Sequence, residues 1–202
     1  MKLYVTPGAC SLSPNIVAHE AGIPLELKKV DLRAKVVSGG GDYNQINSKG
    51  SVPLLQLDNG VKLTEGPVIV QYLADQKPQS GLMPPAGSFE RYQVLEWLNF
   101  ISSEIHKSFS PMFNPAASAD WKQGALANLQ RRFDFTENHL KNREFLVGEK
   151  FSVADAYLFT VLGWTKYAGL DLSKWPALAA YAQRIGARPK VQEAIKAEQS
   201  LP

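Results

Sequence analysis

The sequence predicts a small α/β domain followed by an all-helical domain. Three observations carry this. Up to residue 80, apolar runs are short and separated by glycines and prolines. Residues 78–87, PQSGLMPPAG, are rich in both and read as a connection, with the linker proper at 81–87. From Ser88 onward, apolar residues recur at helical spacing. The domains are therefore expected at 1–80 and 88–202.

In the first domain, KLYVT (2–6) reads as a strand. Pro14 suits the first turn of a helix, where its missing N–H costs nothing, and Gly22 suits the helix end. LELKKV (25–30) reads as a second strand, and Gly39-Gly40-Gly41 as loop. PLLQL (53–57) and VKLT (61–64) flank Asp58-Asn59-Gly60, a hairpin signal. Glu65–Gln76 has helical periodicity through Val68, Tyr72 and Leu73. The order β-α-β, a short piece, then β-β-α fits a four-stranded mixed sheet of thioredoxin-like type.

In the second domain, Ser88–Phe113 reads as one long amphipathic helix with Leu95, Leu98, Ile101, Ile105, Phe109 and Met112 inward. Residues 119–141 repeat the pattern through Leu126, Leu129, Phe133 and Leu140. Residues 152–168 are apolar nearly all round, as in a central buried helix. Ser152-x-x-Asp155 at its start is a capping-box variant, a folding feature. Shorter helices are expected at 175–187 and 189–199.

Net charge is +3, from 22 basic and 19 acidic residues, and the basic residues are spread out. Such a pattern does not point to nucleic acid. No apolar stretch approaches the ~20 residues of a membrane span, and the N-terminus lacks the apolar core of a signal peptide. A cytoplasmic protein is expected. One cysteine forms no intrachain disulfide and no cysteine-only metal site, and no metal is expected.

That cysteine, Cys10, lies in TPGACSLSP, between the first strand and the first helix. A helix N-terminus presents free N–H groups and a positive dipole end, which favours a thiolate. Lowering a thiol pKa by two units takes about 2.7 kcal/mol, within reach of one or two hydrogen bonds to the charged sulfur. A free cysteine is equally at home as a small buried hydrophobe. Cys10-Ser-Leu-Ser13 offers no second cysteine, so a two-cysteine redox mechanism is excluded. A single thiol, or the Ser11 hydroxyl, is left to face a ligand.

Four stretches together resemble bacterial glutathione S-transferases of the beta class: PGACSLSP (7–14), GSVPLLQLDNGVKLTEGPVIVQYLAD (50–75), EWLNFISSEIHKSFSPMF (96–113) and FLVGEKFSVADAYLF (145–159). They run in order along the whole chain. The resemblance implies the glutathione transferase fold, glutathione as co-substrate, an apolar electrophile as second substrate, and a homodimer. It implies a cis Val52-Pro53 whose backbone pairs with the cysteinyl part of glutathione, alongside Ala9 and Cys10. Glu65 and the Gly66 N–H would hold the γ-glutamyl end, and Lys35 the glycyl carboxylate. Gly66 departs from the many relatives that carry Ser there. Asn99, Ser103, Glu104 and His106 become glutathione contacts. Cys10, Ser11 and His106 become candidate catalytic groups.

Glu96, Asn99, Ser103 and His106, spaced 3, 4 and 3, would share one helix stripe, which on residue type alone is an ordinary wet face. Position 5 is Val where relatives often have Tyr, and Tyr4 is given no catalytic role. The second-substrate pocket is expected from Phe109, Met112, Phe113, Tyr157, Trp164 and Tyr167, although aromatics at helical spacing more often form core. The expected activity is conjugation of the glutathione thiolate to apolar electrophiles, in detoxification or aromatic catabolism. The alternatives are thiol-disulfide exchange through a Cys10–glutathione mixed disulfide, and a non-enzymatic binding protein.

Overall fold

Strand β1 (Lys2–Val5) is apolar on both faces, and both are covered: Leu3 and Val5 are fully buried and Tyr4 nearly so. A strand of that kind belongs in the middle of a sheet. β1 pairs in parallel with β2 (Glu26–Asp31) and antiparallel with β4 (Leu54–Gln56). β3 (Val36–Val37) adds antiparallel to β2, and β5 (Lys62–Thr64) antiparallel to β4. The order is β3-β2-β1-β4-β5. The sequence predicts four strands and the structure has five. The extra one is two residues long, and a single Val-Val pair carries no readable alternation.

The structure, a computed structural model, describes residues 1–202. They form two compact units: Met1–Met83 with Ala187–Pro202, and Pro84–Gly186. The sequence places 88–202 together, but the final helix, α9 (Pro189–Gln199), packs on α1 (Leu12–Ala21) of the first unit. Its buried Val191 and Ala194 meet a helix whose Leu12–Ala18 are all buried. Helix α3 (Gly66–Asp75) also packs on α1, through a face that includes Ile69, Val70 and Leu73. Each such apolar side chain contributes about 1.5–3 kcal/mol on burial. A separate apolar cluster joins Tyr4, Val30, Val37, Val52 and Leu54 to Tyr43 of the short α2 (Tyr43–Ile46).

Local signals set the helix ends. Gly22 takes the left-handed conformation (φ 66°) that closes α1. Leu82 and Met83, inside the expected linker, are buried, so the boundary falls between 83 and 84.

The second unit begins with α4 (Phe89–Phe100), capped by the Ser88 hydroxyl, which accepts from the Arg91 N–H. The predicted single helix over 88–113 is not continuous. Residues Ile101–His106 form a π-helical turn and Lys107–Phe109 a 3-10 turn, before α5 (Ser110–Phe113). Leu98, Ile101, Ile105 and Phe109 are buried as expected, and Leu95 and Met112 only partly so. Helix α6 (Ala119–Leu140) follows.

Helix α7 (Val153–Leu162) is buried almost throughout and ends earlier than the sequence suggests, with a 3-10 turn at Thr165–Tyr167. At its start the capping box forms. The buried Asp155 carboxylate accepts from the Leu146 N–H, the Ser152 N–H, the Ser152 hydroxyl and the Tyr181 hydroxyl. Tyr181 belongs to α8 (Pro176–Gly186), whose N-terminal Ala177 and Leu178 N–H groups donate to Glu137 of α6. No helix is long and apolar enough to cross a membrane.

Candidate active site

In the first unit the candidate residues gather around the Val52-Pro53 peptide, which is cis as expected. The loop before it is pinned by its carbonyls. Lys35 Nζ donates to the Gly50 carbonyl at 2.7 Å, and the Tyr43 hydroxyl and Asn47 Nδ2 donate to that of Ser51 at 2.9 and 2.7 Å. Lys35 itself has a positive φ of 56°. Its ammonium, expected to pair with a ligand carboxylate, holds the loop through this bond. Ala9 packs, partly buried, against the cluster that contains Tyr4, Tyr43 and Val52.

The Cys10 Sγ–H donates to the Val52 carbonyl at 3.2 Å. Gly66 at the start of α3 lies beside the Pro53 ring, and an added Cβ would sit in ordinary contact 3.7 Å from Pro53 Cγ. Glu65 precedes it with φ 70°, and its Oε1 meets Lys49 Nζ at 2.6 Å. The same Nζ donates to the Thr64 hydroxyl. The chain of contacts Cys10–Val52–Pro53–Gly66–Glu65 thus joins three segments remote in sequence. Sequence reasoning missed Lys49, Tyr43 and Asn47. Only Asn47, followed by Ser-Lys-Gly before the proline, carries a turn signal.

Of the two readings of Cys10, its surroundings favour the buried thiol. Burial pushes the thiol up to about 12. The N–H groups of Cys10 and Ser11 pull it down, as the helix-terminus idea requires, while the Glu198 and Glu65 carboxylates push it further up. Desolvation is the larger effect, and the sulfur stays protonated and donates. Ser11 departs from its expected role. Its hydroxyl is fully buried, accepts from the Thr6 N–H at 3.1 Å and donates to the Thr6 carbonyl, so it ties the turn to β1 rather than facing a ligand. Tyr4, given no catalytic part, has its hydroxyl on Gln56.

In the second unit the π-helical turn carries the candidates. Such turns are rare and recur at functional sites. The extra residue per turn splits the predicted stripe. Asn99 and Ser103 remain exposed one above the other, and the Ser103 hydroxyl donates to the Asn99 carbonyl at 3.0 Å. Glu104 pairs with Arg132 of α6 at 2.6 Å. Glu96 lines a separate hollow with Trp97, Phe135 and His139.

His106 turns into an aromatic group. Its Nδ1 lies 2.6 Å from the Tyr157 hydroxyl and its ring stands edge-on to Trp164, with centroids 4.8 Å apart. Burial, helped by the nearby Lys107, lowers its pKa to about 4, so the ring is neutral at pH 7. We assign Tyr157 as donor and Nδ1 as acceptor, which leaves the hydrogen on Nε2. Trp164 also meets Phe109 and Phe113 edge-on, and Phe113 meets Tyr167. The expected pocket aromatics therefore do form one group. Phe109, Tyr157 and Trp164 are its buried base, Phe113 and Tyr167 its exposed side, and Met112 is partly buried.

Comparison with known proteins identifies the family. Family models described as the N-terminal and C-terminal domains of glutathione S-transferase match residues 8–76 and 100–189. The chain is 44% identical to glutathione S-transferase GstA of Escherichia coli O157:H7, with 98% of each chain covered. Among solved structures, the ternary complex of BphK, a bacterial GST, superposes with TM-score 0.97 at 54% identity, covering 98% of this chain and 100% of that one. A sphingomonad glutathione S-transferase complexed with glutathione superposes with TM-score 0.96 at 45% identity over 100% of both chains. A Sphingomonas chungbukensis protein described as beta class gives 0.95 at 44% identity, again over 100% of both chains. The chain belongs to the glutathione S-transferase family, among the bacterial members of the beta class.

Proposed function

We propose that the protein is a glutathione transferase that joins the glutathione sulfur to an electrophilic carbon of an apolar, aromatic-type compound. The observation that carries this is the convergence of Cys10, cis-Pro53, Gly66 and Glu65 around one peptide in the first unit. The Val52 backbone, just before the cis-proline, suits the cysteinyl part of the tripeptide. Glu65 and the Gly66 N–H, at the start of α3, suit an ammonium and a carboxylate respectively. Lys35 suits the glycyl carboxylate.

Glutathione releases its thiol proton to water, the sulfur lone pair attacks the electrophilic carbon, and the leaving group departs with its bonding electrons. Because Cys10 is protonated, it serves as a donor to that sulfur. The Cys10 S–H, which donates to the Val52 carbonyl, lies beside the backbone proposed to pair with the cysteinyl part of glutathione, and it turns from that carbonyl to the ligand sulfur. His106, neutral and with hydrogen on Nε2, suits donation to an anion. A conjugate acid near about 4 makes it a poor acceptor of the thiol proton at pH 7.

The second substrate is assigned to the group of Phe109, Met112, Phe113, Tyr157, Trp164 and Tyr167, whose edge-to-face rings favour a flat aromatic partner. A homodimer is part of the proposal. Phe89 and Tyr92 are 73% and 60% exposed on α4, and a second copy would cover them. The raised Cys10 pKa weighs against mixed-disulfide exchange as the main activity. The test is the rate of glutathione conjugation to a chromogenic chloronitrobenzene, with a no-enzyme control. A saturable rate is expected, and a rate equal to background overturns the proposal.

A further inference from the structure

The last helix carries a buried acid that the reaction above does not use. Glu198 of α9 is 2% exposed. Its Oε2 accepts from the Gly8 backbone N–H at 3.1 Å, two residues before Cys10. Its Oε1 is buried with no hydrogen bond. A buried carboxylate left half satisfied is costly and calls for a role. Of the charged groups on the two helices packed there, Arg188 pairs with Glu20, Glu193 meets Lys190 and His19, and Lys196, in the last turn of α9, forms no ion pair with Glu198. The polar neighbour is Asn15, whose Nδ2 donates to the Ala194 carbonyl. No basic side chain offsets Glu198, and the carboxylates felt by Cys10 are Glu198 and Glu65.

We propose that Glu198 is a positioning residue for Cys10: it fixes the turn through the Gly8 N–H, and its negative charge adds to burial in opposing a thiolate at Cys10. The proposal deepens the reading of Cys10 given above, but its test needs no glutathione. Burial raises the Glu198 carboxyl to about 7, against the pull of the Gly8 N–H and the Asn15 amide. Its charge therefore appears as pH passes through neutrality. Each step of Cys10 ionisation above that point works against a neighbouring anion, so the thiolate fraction climbs less steeply than tenfold per pH unit while Glu198 titrates.

The experiment is alkylation of Cys10 by iodoacetamide in the full chain without glutathione, across about pH 6 to 9, in the wild type and Glu198→Gln. Glutamine keeps an acceptor oxygen for the Gly8 N–H and removes the charge. The wild-type plot of log rate against pH is expected to flatten near 7, and the variant to keep unit slope. The variant should react faster at pH 8 by about twofold or more, the gain in thiolate exceeding the loss in nucleophilicity. Equal rates and slopes, or a slower variant, overturn the proposal. If the variant does not fold, the wild-type profile alone decides: a break near 7 supports the coupling, and unit slope throughout removes it. Failure of the conjugation reading would leave this profile unchanged.

Discussion

The Cys10 thiol and the Val52 carbonyl lie 3.2 Å apart, with the sulfur as donor. That one bond links the turn before α1 to the peptide on which glutathione is proposed to pair. It also shows which protonation state the fold selects, since only a neutral thiol can make it. A thiolate at this place would face a carbonyl oxygen and two carboxylates, with two backbone N–H groups in its favour.

A donor role for Cys10 limits what its removal can do. Cys10→Ala should cost about 1 kcal/mol of transition-state stabilisation, or roughly fivefold in kcat/KM for conjugation. Cys10→Ser, which keeps a donor, should stay closer to the wild type. Steady-state kinetics with glutathione as the varied substrate checks both. A thousandfold loss in both variants would mean that the sulfur itself bonds to substrate.

Glu65 and Lys49 form an exposed pair at 2.6 Å, and such pairs contribute about 0–1 kcal/mol to stability. If Glu65 serves the ammonium of glutathione, its removal acts on binding and not on folding. Glu65→Gln should raise KM for glutathione by about tenfold, with the melting temperature little changed. Lys49→Met should not weaken glutathione binding, because it releases the carboxylate for the ligand. Kinetics and thermal melts on the two variants separate these effects.

Local signals were legible in the sequence. Gly22 ends α1, Ser152 and Asp155 form the predicted capping box, and the last helix spans 189–199 as expected. The residues that the resemblance assigned to the first unit, Cys10, Val52, Pro53, Glu65 and Gly66, do come together. Non-local features were not legible. β3 exists only because β2 gives Val36 and Val37 a partner. The π turn at 101–106 leaves no mark on apolar periodicity, yet it splits the polar stripe. The attachment of α9 to α1 depends on which apolar face finds which. The sequence left the Cys10 ionisation open for the same reason: the helix terminus is local and visible, whereas the burial and the carboxylate of Glu198 come from residues far along the chain.

Two buried groups give stability opposite pH dependences. His106 stays neutral in the fold down to about 4, whereas its ordinary value is 6.5. Between those values the unfolded chain holds the extra proton, so this contribution is present above 6.5 and is lost as pH falls towards 4. Glu198 keeps its proton in the fold up to about 7 instead of 4.5. There the folded chain holds the extra proton, so stability falls as pH rises from 4.5 to 7. The unfolding free energy of Glu198→Gln should therefore gain on the wild type over that window, by about 2–4 kcal/mol. His106→Asn should lose the opposite slope below 6.5. Melts across the range check both, and parallel curves would contradict them.

Asp155 joins three elements of the second unit. Its carboxylate accepts from Leu146 and Ser152 before α7 and from Tyr181 of α8. Burial raises its pKa, and these four donors offset that cost. Asp155→Ala strands buried donors and opens a polar void. A loss of about 4 kcal/mol is expected, or a fall in melting temperature of roughly 8–16 °C. Tyr181→Phe, which removes one donor only, should cost about 1 kcal/mol. Calorimetry on the two variants tests the ordering.

Gly66 provides a test that adds function rather than removing it. In the proposed site, glycine offers the γ-glutamyl end of glutathione only its N–H. Backbone geometry does not demand the glycine, since Gly66 is absent from the positions with positive φ. Space does not demand it either, because a Cβ would make ordinary contact with Pro53 Cγ at 3.7 Å. Gly50 is the contrast, with φ 60° and a Cβ that would come within 2.9 Å of Asn44 Oδ1. Gly66→Ser should therefore fold with an unchanged melting temperature, while Gly50→Ala should melt lower. If the serine hydroxyl reaches the ligand carboxylate, glutathione affinity should rise by about threefold to tenfold, the effect of one hydrogen bond. Calorimetric titration of glutathione into Gly66→Ser measures this. An unchanged affinity in a well-folded variant would place the γ-glutamyl carboxylate elsewhere than the start of α3.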